Sequence, residues 1–165
     1  MNARPVRESV SEIAEFALPI YANPLGHLLG GRIMHLVDLA AATAAIRHAR
    51  ANVVTASVDQ MSFLHPIQIG QLITLKASVN RVFRTSMEVG VKVLVEDLRS
   101  GEVHHTNSSY LTFVALDVDR KPCAIPQVVP ETADEKRRWE EALGRREMRL
   151  AQKSNALERD QRRSG

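Results

Sequence analysis

Residues 30–46 read GGRIMHLVDLAAATAAI, a stretch that is apolar almost all the way round a helix. A helix with this pattern belongs in the interior of a protein rather than on its surface. Asp38 is the only carboxylate in the stretch. A carboxylate loses its hydration in the interior, so proteins seldom bury one without a partner. The stretch therefore predicts a central helix, from about Gly31 to Ala49, that carries one chemically significant acid.

The segments around this helix predict strands. Residues 11–20 form a first strand candidate, which ends at Pro19 and the turn signal Asn23-Pro24. Four long candidates follow the helix, at residues 52–63, 72–83, 85–98 and 103–117. In the third of them every second residue from Met87 to Val95 is apolar, which predicts one buried face with Glu88 on the other. Residues 99–102 predict the hairpin turn to the fourth.

One strand, one apolar helix and a run of antiparallel strands define an α+β chain. Because only this helix is apolar enough to cover the sheet, we expect a curved antiparallel sheet wrapped around it. Such a sheet leaves edges exposed, which favours pairing with a second copy. We assign residues 8–125 to this domain.

Residues 126–165 are predicted to form a charged C-terminal helix and tail. Acidic residues precede basic ones near residue 132, which is typical of a helix start. A thin apolar stripe of Trp139, Leu143 and Leu150 predicts a surface helix that fades into a disordered tail after about Lys153. The alternative is that this helix packs along a neighbouring subunit.

Composition excludes several classes of function. The 165 residues suit one domain, and the net charge of +3 is spread along the chain without the basic patch that nucleic-acid binding needs. Cys123 is the only cysteine, so no internal disulfide is possible. We find no signal peptide and no run of about 20 apolar residues, so we expect a cytoplasmic protein without membrane insertion.

The histidines do not predict a metal site. His104 and His105 are adjacent and point to opposite faces of a strand, while His27 and His35 lack a ligand at familiar spacing. The chain also lacks a phosphate-binding glycine loop and the Gly-x-Ser-x-Gly elbow of serine esterases.

Gly30 and Gly31 stand at the predicted helix start, where the first N–H groups are unpaired and suit a developing oxyanion. Asp38 lies about 10 Å further along the helix, too far to reach a carbonyl held at its own helix start. Two paired copies would place the acid of one subunit against the Gly-Gly turn of the other, which predicts a site at a dimer interface.

Each of these groups also has a structural interpretation. A structural role for Asp38 would be that of a buried acid satisfied by hydrogen bonds, or of an acid facing a small polar seam with Arg32 and His35. Tight helix–strand packing explains Gly30 and Gly31, and a turn before Pro24 explains Asn23.

Residues 23–38, NPLGHLLGGRIMHLVD, resemble the signature of hotdog-fold acyl-CoA thioesterases, a family with broad-range and long-chain cytosolic members. Residues 53–59 (VVTASVD), 63–67 (FLHPI) with Gly70, and 84–89 (RTSMEV) are similar to its later motifs. The resemblance covers roughly residues 11–120. It implies the hotdog fold and the hydrolysis of acyl-CoA to a carboxylic acid and coenzyme A.

The resemblance also implies roles for individual residues. Asp38 would be the catalytic acid, acting as general base or nucleophile, and Asn23 of the partner subunit would orient water or bind the thioester. Substrate and coenzyme A contacts are expected at His27, Gly30, Gly31, Arg84, Thr85 and Ser86. Many relatives have a glycine before the Thr-Ser pair, and Phe83-Arg84 in its place is expected to narrow the coenzyme groove.

The resemblance implies a homodimer as the minimal active unit, assembled as a trimer of dimers, with acyl-CoA as substrate and no metal or cofactor. Two rival functions stay open from the residues alone. One is a hotdog-fold dehydratase or hydratase that pairs His27 with Asp38. The other is a non-catalytic acyl-CoA-binding regulator.

Overall fold

The computed structural model describes residues 2–163, and a single helix lies against a five-stranded sheet at its centre. The elements are β1 (Arg4–Pro5), β2 (Ser11–Phe16), α1 (Gly30–Ala49), β3 (Asn52–Val58), β4 (Leu72–Phe83), β5 (Ser86–Asp97), β6 (Glu102–Leu116), β7 (Val128–Val129) and α2 (Ala133–Arg163). The predicted α+β hotdog architecture is confirmed.

The main sheet has the order β2-β4-β5-β6-β3, and all neighbouring strands are antiparallel. The edges are therefore β2 and β3, while the short β1 and β7 pair in parallel with each other. The predicted turn between β5 and β6 is confirmed, and Gly101 adopts a positive φ of 75° there.

Two predicted strands are longer than the real ones. β2 ends at Phe16 because Pro19, which has no N–H to donate, opens a short 3-10 turn. β3 ends at Val58 rather than at Phe63. Its register against β6 shifts between Thr55 and Ser57, and the chain leaves the sheet after Asp59 donates a last backbone hydrogen bond to Tyr110.

The sheet covers one face of α1 and leaves the other open. The covered face is lined by side chains that are at most 5% exposed, namely Ile33, Leu36, Val37, Ala40, Ala41, Ala44 and Ala45. On the opposite face Met34, Leu39 and Ile46 are 48%, 44% and 49% exposed. The predicted central helix is thus confirmed, but within one chain it is buried on one side only, because a single sheet covers a single face of it.

α2 packs on the outer face of the sheet of its own chain. It begins with a capping box, in which the backbone N–H of Glu135 donates to Thr132 Oγ1 and the Glu135 carboxylate accepts from the N–H of Thr132. The predicted disordered tail after Lys153 is wrong, since α2 continues to Arg163. Residues 145–163 contain no glycine or proline and are rich in good helix formers.

A buried carboxylate fixes α2 to the sheet. Glu88 lies on the outer face of β5, as predicted, but its side chain is 0% exposed because α2 covers it. Its oxygens accept hydrogen bonds from Arg145 at 2.8 Å, Arg149 at 3.0 Å and Asn80 at 3.0 Å. A buried charge requires such compensation. These polar contacts hold the helix together with Trp139, which packs against the core, and the fully buried Ala142, whereas Leu150 of the predicted apolar stripe stays 55% exposed.

The two-part division at residue 125 stays a prediction. Contacts cross that boundary at several points, including the β1–β7 pair and the Glu88 cluster.

His48 predicts a specific acid sensitivity of the fold. Its ring is fully buried and Nε2 donates to the Pro126 carbonyl at 2.8 Å. Burial lowers its pKa, and the neighbouring Arg4 charge acts in the same direction. The unfolded chain takes up a proton near pH 6.5, whereas the folded chain resists until lower pH, so stability falls as the pH drops below about 6.5.

Urea unfolding of the wild type and of His48→Gln at pH 7.5 and pH 5.5 measures this effect. The wild type should lose more unfolding free energy between the two pH values than the variant, which lacks the titrating ring. Equal losses in the two proteins would show that His48 does not contribute.

Candidate active site

Asp38 lies on the half-open side of α1, where it meets the edge strand β3. Its Oδ1 accepts a hydrogen bond from Thr55 Oγ1 at 2.8 Å. This contact fixes the orientation of the carboxylate and leaves Oδ2 without a hydrogen bond to any residue from 2 to 163. The free oxygen is available to take a proton from water or to attack a carbonyl carbon.

Thr55 was not predicted as a site residue. It occurs in the segment VVTASVD, which carried part of the family resemblance, but nothing in the local pattern links its hydroxyl to a helix residue 17 positions earlier. The contact follows from the fold, which lays β3 beside α1.

The alternative of a polar seam around Asp38 does not fit the structure. Arg32 instead forms an ion pair with Glu15 and stacks its guanidinium 4.1 Å from the centre of the Tyr21 ring. His35 is exposed and donates to no described residue.

The start of α1 offers two free donors. No side chain caps the helix, and Arg32 and Ile33 are the first residues whose N–H groups donate, both to the Leu29 carbonyl. Within residues 2–163 nothing accepts from the N–H groups of Gly30 and Gly31. These donors, at the positive end of the helix dipole, suit a developing negative charge on oxygen.

Packing does not explain the two glycines. A Cβ on Gly31 would meet nothing within 4 Å, and one on Gly30 would touch the Phe63 ring at 3.5 Å, an ordinary contact. Neither residue has the positive φ that favours glycine. The glycines therefore keep open the space in front of free N–H groups, which is what a ligand or a second chain requires.

Asn23 does form the turn that its sequence context suggested. Its Oδ1 accepts from the backbone N–H groups of Leu25 at 2.9 Å and His27 at 3.0 Å. With the carbonyl oxygen held in this way, the Asn23 Nδ2 group donates to no described residue. The turn and a role in binding are thus compatible. The same contacts place the backbone of His27, whose half-buried ring has no described hydrogen-bond partner.

One chain does not bring all of these groups together. Asp38 follows Gly31 by seven residues, so helix rise separates them by about 10 Å. Both lie on the side of the molecule that the sheet leaves uncovered. Around them are exposed apolar side chains on α1, just before it and in the segment that follows β3, namely Leu29, Met34, Leu39, Ile46, Phe63 and Leu64.

Arg84 and Thr85 form the turn between β4 and β5, and Ser86 is the first residue of β5. The carbonyls of Arg84 and Thr85 accept backbone hydrogen bonds at 3.0 and 3.1 Å, and Ser86 Oγ accepts from Arg146 at 3.3 Å. Val114 of β6 pairs with Ser86 on one side and Val54 on the other. Ser86 therefore lies two strand spacings, about 10 Å, from the residue before Thr55.

The part of the chain that the structure describes has no group of three or more His, Cys, Asp or Glu side chains placed to hold a metal ion. None of its helices combines the length and the apolar character needed to cross a membrane.

Comparisons with known proteins identify the family. Residues 25–102 match the family model described as Thioesterase superfamily. The chain is 44% identical to the uncharacterized acyl-CoA thioester hydrolase YkhA of Bacillus subtilis over 117 residues, which is 71% of this chain and 68% of that one.

Solved structures identify the same family, and they match a larger share of the chain. Staphylococcus aureus acyl-CoA hydrolase, solved with butyryl coenzyme A, coenzyme A and coenzyme A disulfide, has a TM-score of 0.92 and 34% identity, covering 99% of both chains. That protein was also solved as variants with alanine in place of an aspartate, an asparagine and a threonine. An apo-hexameric acyl-CoA thioesterase has a TM-score of 0.89 and 39% identity, covering 92% of this chain and 97% of that one. With its fold, its motifs and these matches in agreement, the chain belongs to the hotdog-fold acyl-CoA thioesterases.

Proposed function

We propose that this protein hydrolyses acyl-CoA thioesters to a carboxylic acid and free coenzyme A. The observation that carries the proposal is the Asp38 carboxylate, oriented by Thr55 on the open side of α1. This carboxylate belongs to a chain of which 99% matches an acyl-CoA hydrolase that was solved with butyryl coenzyme A and coenzyme A. Family membership favours hydrolysis over dehydration or mere binding.

In the proposed reaction the thioester carbonyl carbon gains an oxygen and loses its sulfur. The carbonyl oxygen lies against the N–H groups of Gly30 and Gly31, which stabilise the negative charge that develops on it. Asp38 either takes a proton from the attacking water or attacks the carbonyl itself. Collapse of the tetrahedral intermediate breaks the C–S bond, and the leaving thiolate takes up a proton. If Asp38 is the attacking group, the product of this step is an anhydride between the acyl group and Asp38, which water then hydrolyses to the free acid and the regenerated carboxylate. Water is the second reactant, and we propose that no metal or cofactor takes part.

The neighbour's variants support this set of residues. In the Staphylococcus aureus protein the altered asparagine lies 15 residues before the altered aspartate, and the altered threonine lies 17 residues after it. Asn23, Asp38 and Thr55 have the same two spacings, 38 − 23 = 15 and 55 − 38 = 17. We therefore assign the three side chains to one site, with the Asn23 amide orienting water or the thioester.

We propose that two subunits build each site. The exposed apolar side chains around Asp38 form a surface typical of an interface between chains. A second copy placed there would bring its Asn23 and Gly30-Gly31 turn against Asp38 of the first, which the distance within one chain forbids. Homodimers assembled as a trimer of dimers are consistent with the hexameric thioesterase that this chain resembles. Cytoplasmic localisation stays a prediction.

Release of free thiol from acyl-CoAs of 2 to 18 carbons, by the wild type beside Asp38→Asn, tests the function. The wild type should release coenzyme A, and the variant should lose turnover by about 1,000-fold while keeping its oligomeric state, because the base or nucleophile is gone. Asn23→Ala should lower kcat more than it raises KM. Hydration of crotonyl-CoA without thiol release would indicate a dehydratase, and coenzyme A binding without either reaction would indicate a regulator.

Thr55→Val tests the role of the hydroxyl that holds Asp38. The substitution conserves shape and removes only the donor, so kcat should fall about tenfold, as expected for loss of one hydrogen bond to a charged group. Thr43→Val is the matched control. Thr43 lies on α1, the helix that carries Asp38, but its Oγ1 donates to the Leu39 carbonyl and not to Asp38. Equal kcat values for the two variants would remove Thr55 from the site.

A further inference from the structure

The chain passes from the end of β3 toward the start of α1 through residues 60–66, which we call the crossing segment. Both ends of this segment are fixed to neighbouring elements. At one end Asp59 donates its backbone N–H to the Tyr110 carbonyl on β6 at 2.9 Å. At the other end the carbonyl of the buried Ile67 accepts from the N–H of Leu28 at 2.8 Å. The crossing segment itself contains neither helix nor strand.

Between those ends one hydrogen bond holds the crossing segment. Nδ2 of Asn107, on β6, donates to the carbonyl of Ser62, and we call this contact the Asn107 latch. No other residue from 2 to 163 forms a hydrogen bond with residues 60–66. The Asn107 residue is only 7% exposed, whereas Ser62 is exposed. A buried amide is therefore committed to a segment that has little else to fix it.

The sheet sets the direction of the Asn107 latch. Asn107 Oδ1 accepts from Ser109 Oγ, and Ser109 is 1% exposed on the same face of β6, since side chains alternate along a strand. A carbonyl oxygen can only accept, so the amide nitrogen has to face Ser62 and the amide oxygen has to face the hydroxyl. The Asn107 side chain is thus held in one orientation by a partner on its own strand.

Phe63 follows Ser62 and lies beside the start of α1. Its ring edge is 3.5 Å from the position that a Cβ on Gly30 would take, so the ring borders the residue that supplies one of the two free donors. Phe63 is still 47% exposed. Leu64, the next residue, and Leu29, which precedes Gly30, are 72% and 45% exposed. The ring and these side chains form an apolar surface with room for a ligand.

The proposed reaction places the thioester carbonyl within reach of this ring. A carbonyl oxygen bound by the Gly30 N–H lies about 3 Å from that nitrogen, and the atoms bonded to the carbonyl carbon lie about 2.5 Å from the oxygen. The ring therefore meets either the first carbons of the acyl chain or the arm beyond the sulfur. That arm carries amides, which lose hydration against an apolar surface, whereas an alkyl chain gains from such contact.

From these contacts we infer that Asn107 is a positioning residue for acyl-chain selectivity: its latch to Ser62 holds Phe63 beside Gly30, where the ring contacts the first carbons of the acyl chain. Asn107 itself acts only through the crossing segment. The inference rests on the proposed function for the identity of the substrate. Contact with about two methylene groups corresponds to roughly a tenfold gain in kcat/KM over a substrate that lacks them.

Variants at both ends of this chain of contacts test the inference. Phe63→Ala removes the ring, Asn107→Leu removes the donor with little change of shape, and Asn107→Asp removes it while keeping an acceptor for Ser109. Phe16→Ala is the matched control, because Phe16 on the edge strand β2 is 50% exposed, close to the 47% of Phe63.

Each protein is assayed with acetyl-CoA and octanoyl-CoA. Binding of S-ethyl-CoA and S-octyl-CoA, thioethers that cannot be hydrolysed, is measured by calorimetry. Thermal unfolding verifies that each variant is folded, and size-exclusion chromatography verifies its oligomeric state.

We expect Phe63→Ala to lower the ratio of kcat/KM for octanoyl-CoA to that for acetyl-CoA about tenfold, mainly through KM, and to lower the relative affinity for S-octyl-CoA by a similar factor. Both Asn107 variants should shift these ratios in the same direction. The double variant Phe63→Ala/Asn107→Leu should equal Phe63→Ala alone, because the latch then has no ring to hold. Phe16→Ala should keep the wild-type ratios, and a merely destabilised protein would lose activity on both substrates without changing their ratio.

Unchanged ratios in Phe63→Ala would overturn the contact with the acyl chain. Unchanged ratios in both Asn107 variants, or additive effects in the double variant, would overturn the positioning role. Failure of the proposed function gives a different result, namely a wild type that hydrolyses neither thioester. The thioether affinities would then still decide whether Phe63 and its latch select for the alkyl chain.

Discussion

Every functional feature of this protein depends on one constraint: five strands cover only one face of an apolar helix. The covered face is sealed by alanines and branched aliphatic side chains, and its residues are at most 5% exposed. On the other face Met34, Leu39 and Ile46 are about half exposed, and Asp38 lies among them. Apolar surface of this kind is stabilised by burial, and the proposed second subunit would supply that burial. On this proposal the acid stands at a place that association completes.

The outer face of the sheet is covered within one chain, by α2. There the buried Glu88 carboxylate adds to the apolar packing of Trp139 in holding α2, because Arg145 and Arg149 reach it from the helix. Removing one partner of such a buried pair leaves an uncompensated charge, so the helix is fixed in register and not only in direction. That register sets Arg146 beside Ser86, to whose hydroxyl oxygen it donates.

The sequence predicted those parts of the molecule that local patterns determine. Apolar periodicity located α1 and the strands β4 to β6, and the isolated acid in an apolar run singled out Asp38. The Asn23-Pro24 turn also followed from its residues. The missed features depend on contacts between elements. Thr55 reaches Asp38 only because β3 lies along α1, and Glu88 is buried only because α2 covers it. The exposed side of α1 could not be predicted from its composition, since the residues that the sheet buries and those that it leaves exposed are equally apolar.

The most direct test of the account is subunit complementation between two impaired variants, Asp38→Ala and Asn23→Ala. If each site combines Asp38 of one chain with Asn23 of another, random pairing in a co-expressed 1:1 mixture restores one intact site in each mixed dimer. The mixture should then show about a quarter of the wild-type thiol release, well above the residual activity of either variant alone. Activity no greater than that of the separate variants would place the whole site within one chain and contradict the shared site.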